Sequence, residues 1–159
     1  HTTIPFGNVP IYQMAKDAAA KGGTFINMTA EQMMDYIEKQ AADGVDYMTI
    51  HAGLTMRAVE KLRQQPRRAG IVSRGGSITT GWMLHNNKEN PFYENFDRIL
   101  EISRKYDVTM SLGDGLRPGC LDDGSDWGQM EELMTLGELV KRCRDYGVQA
   151  MVEGPGHLP

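Results

Sequence analysis

The chain has 159 residues, and its 17 Lys and Arg against 21 Asp and Glu leave a net charge of −4. Hydrophobic residues make up 40% and charged residues 24%, a balance that folds around a core and excludes a disordered chain. The mild acidity offers no general attraction to nucleic acid or to an anionic membrane, and no apolar run approaches the roughly 20 residues of a membrane span.

Thr29 followed by Gln32 three residues on is a capping-box pattern, and Met33, Ile37 and Ala41 then recur at helical spacing as far as Gly44. Residues 45–50 read as a strand that ends at His51-Ala52-Gly53. A helix is predicted over about 55–65, closed by Pro66. Residues 69–72 read as a short apolar strand that breaks at Ser73-Arg74-Gly75-Gly76-Ser77, with a helix from 78 to about 85 after it. A further helix is predicted over 93–106, where Phe96, Ile99, Leu100 and Ile102 supply an apolar face. Residues 108–112 are the next strand, ending at Gly113-Asp114-Gly115. A long helix over about 127–146 precedes the last strand, 148–152, which ends at Glu153-Gly154-Pro155-Gly156-His157.

Three segments, 44–51, 107–114 and 147–153, share one design: a turn residue, an apolar strand, then a polar side chain beside glycine. Strands this apolar are covered on both faces, which means a parallel sheet with helical crossovers. Polar strand ends at His51, Ser73, Asp114 and Glu153 all face one way, as they do at the C-terminal face of a (β/α)8 TIM-type barrel. A doubly wound sheet would gather its ligand at one switch point instead. A full barrel takes about 250 residues, so the expected fold is α/β, a partial barrel. The opening at His1 without Met and the stop at Pro159 inside a Gly- and Pro-rich segment fit a piece of a longer protein. Two cysteines, Cys120 and Cys143, are too few and too far apart for a disulfide framework, so a cytoplasmic setting is expected.

Three segments could carry chemistry. In Ser73-Arg74-Gly75-Gly76-Ser77, glycines admit close backbone approach, and free N–H groups at a helix start favour an anion such as phosphate. A tight turn without a ligand would need the same glycines. Asp114 and Arg117 stand among three glycines, where the carboxylate could orient a polar substrate or act as a base and the guanidinium could grip a phosphate or carboxylate. An internal pair closing the loop is the other reading. Glu153 and His157 lie on a stiff loop at a strand end, placed to donate a proton or hold a metal. His51 is a candidate hydrogen-bonding group, and His85 reads as surface. The 11 methionines read as core filler, the arginines of 63–68 as a solvated helix end, and Cys120 as packing. The residues alone therefore describe a barrel enzyme for a phosphorylated small molecule, with a metal as an option.

The segments Asn8-Val9-Pro10-Ile11-Tyr12-Gln13, Thr49-Ile50-His51-Ala52-Gly53, Ile71-Val72-Ser73-Arg74-Gly75-Gly76-Ser77, 111–119 and 153–157 together closely resemble the phosphomethylpyrimidine synthase family, from about Asn8 to Pro159. The resemblance implies a radical S-adenosylmethionine enzyme with a central β/α barrel and a 4Fe-4S cluster. Its reaction converts 5-aminoimidazole ribonucleotide to 4-amino-5-hydroxymethyl-2-methylpyrimidine phosphate, for thiamin. It implies that Tyr12, His51, Ser73, Gly75, Asp114, Arg117 and Glu153 bind substrate, and that His157 is one of two histidines on a second metal, commonly zinc. The family's Cys-x-x-Cys-x-x-x-x-Cys motif and the second histidine do not occur here. The chain is thus expected to be a piece of the central barrel, without the N-terminal and cluster domains, and inactive alone. Homodimers are the family's expected assembly.

The stretch 121–129 departs from the family's Asp-Ala-x-Asp-x-Ala-Gln pattern, Leu54 and Leu158 replace the common Val, and the segment between His51 and Ser73 is slightly longer. Two alternatives stay open: a 5-hydroxybenzimidazole synthase, which makes a cobamide base from the same substrate, and a non-catalytic ribonucleotide-binding relative.

Overall fold

Strands and helices alternate along residues 3–158, which the computed structural model describes. Four strands, β1 (Gly7–Asn8), β2 (Tyr47–Ile50), β3 (Thr109–Leu112) and β4 (Ala150–Val152), pair in the order β1-β2-β3-β4, every pairing parallel. Parallel neighbours require crossovers, and these are helical. They are α1 (Pro10–Ala20) and α2 (Ala30–Ala42) between β1 and β2, then α3 (Met56–Gln64), α4 (Arg74–Asn86), α5 (Pro91–Glu94) and α6 (Phe96–Tyr106) between β2 and β3. The helix α7 (Trp127–Asp145) leads into β4. The architecture is α/β, part of a TIM-type barrel, as the strand pattern predicts.

Local chemistry sets the helix ends. Thr29 and Gln32 form the capping box: Thr29 Oγ1 accepts from the Gln32 N–H at 3.2 Å and Gln32 Oε1 from the Thr29 N–H at 2.9 Å. Pro10 opens α1 at a position whose N–H needs no partner. Thr55, Ser73 and Asp126 cap α3, α4 and α7 in turn. Where a helix hands over to the next strand the chain turns left-handed, at Gly44 (φ 90°) before β2 and Gly147 (φ 69°) before β4, a conformation glycine adopts without steric cost.

The register sorts the side chains. Met48 pairs with Met110, and Ile50 with Leu112 and then Val152. Met48, Met110, Ile50 and Leu112 are buried with Ile37, Phe96 and Ile99 of the covering helices. Met14, Met33, Met34 and Met83 join that core with no exposure, so these methionines fill the interior as composition suggests. The alternate row, Thr49, Ser111 and Met151, faces the other side, where Met151 is 47% exposed.

Three expectations are corrected. Residues 69–72 form no strand: Asp123 takes the N–H groups of Arg68 and Ala69 at 2.8 and 2.9 Å, Gly70 turns left-handed, and Val72 is exposed. β2 pairs directly with β3 instead. The helix expected from 78 begins four residues earlier, because Ser73 caps it. The helix expected over 93–106 is split at Asn95, which closes α5 and opens α6, and α5 itself starts at Pro91 under an Asn90 cap. No element is predicted for β1 or α1, although Ile11 and Met14 of α1 are buried three residues apart, at helical spacing.

Candidate active site

The strand register extends one step past the ladder. Gly113 N–H bonds to Ile50 C=O and Glu153 N–H to Leu112 C=O, both at 3.1 Å. His51, Gly113 and Glu153 therefore form a row two residues beyond Thr49, Ser111 and Met151, on the same face. Gly113 leaves a gap in the middle. A Cβ there would stand 3.0 Å from Thr49 Cγ2 and 3.1 Å from His51, so the missing side chain makes room for the imidazole. Ser111 Oγ donates to Glu153 Oε1 at 3.2 Å and aims the carboxylate across that gap.

Ser73 brings α4 to this row. Its Oγ accepts from the Gly76 N–H at 3.1 Å and lies 3.3 Å from His51 Nε2. Gly75 sits on the His51 ring so closely that a Cβ would overlap it, and Gly76 meets Gly115 backbone to backbone. The glycines thus serve packing, letting a helix start press on a histidine and on a neighbouring loop. Arg74 extends the other way, its guanidinium 5.3 Å over the Tyr12 ring. Asn90, fully buried, donates to the His51 and Leu54 carbonyls at 2.7 and 2.8 Å and pins the loop after β2.

Asp114 is buried at the centre of the next loop. Arg117 Nη1 lies 3.4 Å from its Oδ1. His157 Nδ1 approaches its Oδ2 to 2.5 Å. Among the described residues these contacts unite His51, Ser73, Gly75, Asp114, Arg117, Glu153 and His157 at the C-terminal end of the sheet, with Tyr12 joined through Arg74.

Burial dominates the electrostatics. His51 is 4% exposed, and loss of solvent pulls its pKa down to about 4. Glu153 opposes the shift and Arg117 adds to it. The imidazole is therefore neutral at physiological pH, able to donate at one nitrogen and accept at the other. Burial also raises the Asp114 carboxyl above its ordinary range, held back by His157 and Arg117 and reinforced by Glu153.

The loop carrying Asp114 and Arg117 is held from below by residues whose role sequence reasoning missed. Glu132 of α7, 1% exposed, accepts from the Gly115 and Leu116 N–H groups at 2.7 and 2.8 Å. Burial pushes its pKa up to about 8, against the pull of those two donors. Arg67 is a further correction. Expected on a solvated helix end, its side chain is 2% exposed and forks onto Asp126, with Nε and Nη2 at 2.5 and 2.8 Å. Nη2 also donates to Leu116 C=O at 2.5 Å and Nη1 to Arg117 C=O at 3.3 Å. A basic run looks alike whether its arginines meet water or a buried carboxylate. The carboxylate partner of Arg67, Asp126, lies 59 positions along the chain, beyond the reach of any local pattern.

Among the described residues no three His, Cys, Asp or Glu side chains converge as a metal site. Cys120 is exposed and Cys143 buried, so the two cysteines form no common site.

A family model described as "Radical SAM ThiC family" matches residues 1–159. A phosphomethylpyrimidine synthase of Moorella thermoacetica is 61% identical over 153 residues, 96% of this chain and 35% of the relative. Those of Thermoanaerobacter pseudethanolicus and Methanocaldococcus jannaschii are both 56% identical, over 100% and 98% of this chain and 37% of each relative. The chain thus spans a little over a third of the length of these curated relatives.

Proposed function

The chain belongs to the radical SAM ThiC family, and from that premise we propose that the full-length protein is a phosphomethylpyrimidine synthase whose ribonucleotide site is built largely by this segment. The reaction is the rearrangement of 5-aminoimidazole ribonucleotide to 4-amino-5-hydroxymethyl-2-methylpyrimidine phosphate in thiamin synthesis. The observation that carries this reading is the convergence of the strand-end motifs on one face of a parallel sheet, in a chain 53–61% identical to relatives of that name.

The start of α4 suits the phosphate. Ser73 takes the Gly76 N–H, while Arg74 and Gly75 occupy the first two helical positions, whose N–H groups have no acceptor within the helix. Neutral His51 beside Ser73 offers one donor and one acceptor to the substrate. Glu153, Asp114 and Arg117 ring the remaining space with polar groups, a setting that would hold a polar ribonucleotide in one orientation.

A radical S-adenosylmethionine enzyme draws its reactive species from a 4Fe-4S cluster and S-adenosylmethionine. Such a cluster needs thiolates gathered at one point, and Cys120 and Cys143 do not meet that need. In this reading the cluster is held outside this segment, and no step is assigned to it here. A divalent metal, zinc by family resemblance, fits at one ligand. Nδ1 of His157 faces Asp114, an arrangement in which a carboxylate fixes a histidine's orientation and leaves Nε2 for the metal. His157 is 47% exposed, consistent with further ligands arriving from elsewhere in the longer protein. Flanking N-terminal and cluster domains, a homodimer and a cytoplasmic setting complete the proposal, with no nucleic-acid partner.

The test is incubation of the full-length protein, reconstituted without oxygen, with S-adenosylmethionine, a reductant and 5-aminoimidazole ribonucleotide, read by mass spectrometry. The pyrimidine phosphate and 5′-deoxyadenosine are the expected products. 5-Hydroxybenzimidazole would move the protein to cobamide synthesis. Absence of all three from a cluster-loaded protein would replace the catalytic reading with a ribonucleotide-binding one.

A further inference from the structure

Three buried polar side chains stand three residues apart on the first turns of α7: Asp126, Gln129 and Glu132, at 4%, 4% and 1% exposure. On a helix, positions three apart share a face, and a face turned to a protein interior is ordinarily apolar. Each of these three is instead bonded to the backbone or buried side chain of a segment at the candidate site. Asp126 holds Arg67, which grips the Leu116 and Arg117 carbonyls. Gln129 Nε2 donates to the His157 carbonyl at 3.1 Å. Glu132 accepts the Gly115 and Leu116 N–H groups. The peptide between Asp114 and Arg117 is therefore fixed from both polarities, N–H groups on a carboxyl and C=O groups on a guanidinium.

We propose that Glu132, with Arg67, is a positioning residue for the substrate site: it touches no substrate but sets the backbone from which Asp114 and Arg117 reach it. Three observations support this over a purely structural role. The loop it holds contains Gly115, whose Cα meets α4 at Gly76, so a shift of the loop displaces the helix start that carries Ser73 and Gly75. Glu132 bonds to backbone rather than to a partner side chain, so it fixes a path rather than closing a charge pair. Its neighbour Glu131 on the same helix instead pairs with a side chain, the exposed Arg57, at 2.5 Å, which gives the two carboxylates different roles.

The inference rests on the proposed ribonucleotide site, and two readouts on the full-length protein keep the two apart. The first is amide hydrogen exchange by mass spectrometry, which needs no substrate. Glu132→Gln retains the shape but turns an NH2 donor toward one backbone N–H, and Glu132→Ala leaves both donors orphaned. Protection is expected to fall in peptides covering 113–119 in both variants, more in the alanine, and to stay unchanged in Glu131→Gln. The second is steady-state turnover with 5-aminoimidazole ribonucleotide. A displaced loop is expected to raise KM roughly 10- to 100-fold in Glu132→Gln, since small misplacements of binding groups are costly, with cluster content and S-adenosylmethionine binding as in the wild type. Unchanged exchange in 113–119 would overturn the inference, as would lost melting temperature with an unaltered KM in the folded fraction. A wild-type protein that neither binds nor converts the ribonucleotide would sink the proposed function and the substrate half of the inference together. The exchange result would still decide whether Glu132 sets the loop.

Discussion

His51 shows how one side chain records its surroundings in its acid–base behaviour. It lies under Gly75, beside Ser73 and against the Gly113 gap, so protonation would place a charge where water cannot reach. Its folded pKa of about 4 lies below the ordinary value of 6.5. Between those values the unfolded chain binds the proton more readily, so stability rises with pH across the window. The contribution is fully present above about pH 6.5 and lost as pH falls toward about 4, for a total of about 3 kcal/mol. Denaturant titrations across that window should show this slope in the wild type and a shallower one in His51→Gln. Equal slopes in the two proteins would mean that the imidazole is solvated.

At the scale of elements, α7 is anchored by a buried ion pair to the segment that follows α3. Arg67 and Asp126 have almost no exposure, so deleting one partner strands the other away from water. Arg67→Met is expected to cost about 3–5 kcal/mol by that mechanism. Adding Asp126→Asn should restore part of the loss, because the stranded charge is gone and asparagine still caps a helix. A double variant no more stable than the single one in urea melts would show that the carbonyl contacts of Arg67, not the charge pair, carry the energy. The pair also marks what the sequence makes legible. Strands β2, β3 and β4, the capping box and α7 follow from periodicity and turn residues, which act within a few positions. Residues 69–72 mislead because an apolar run of four fits a strand, while the side chain that diverts it, Asp123, lies some fifty positions away. Arg67, Asn90 and Glu132 are hidden for the same reason: their partners, a carboxylate and backbone groups, lie far along the chain and are chosen by the fold. The candidate residues beside glycine at strand ends, His51, Asp114 and Glu153, could be picked out because the turn that presents them has its own local signature.

Across the whole molecule, the polar groups of the candidate site gather at one end of the sheet while the thiols do not gather at all. The sheet brings its polar row together within this chain, but the thiols are scattered. Cys120 is exposed beyond the Asp114 loop, and Cys143 is buried in α7, where burial pushes its pKa up to about 11. A thiol so shifted yields little thiolate, the form that binds iron. The chain of 159 residues, expressed alone and reconstituted without oxygen with iron and sulfide, is therefore expected to retain less than one cluster per molecule and to make no 5′-deoxyadenosine. It should nonetheless weakly bind the ribonucleotide if the strand-end row and the start of α4 are sufficient for recognition. Iron and sulfide analysis after desalting, paired with calorimetric titration of 5-aminoimidazole ribonucleotide, tests both halves of that statement. Stoichiometric cluster on the isolated chain would mean that thiols this far apart can be gathered, and would move the iron site into this segment. Binding of neither cluster nor ribonucleotide would show that the open face beside Met151 must be closed by further strands before His51, Asp114 and Glu153 act as one site.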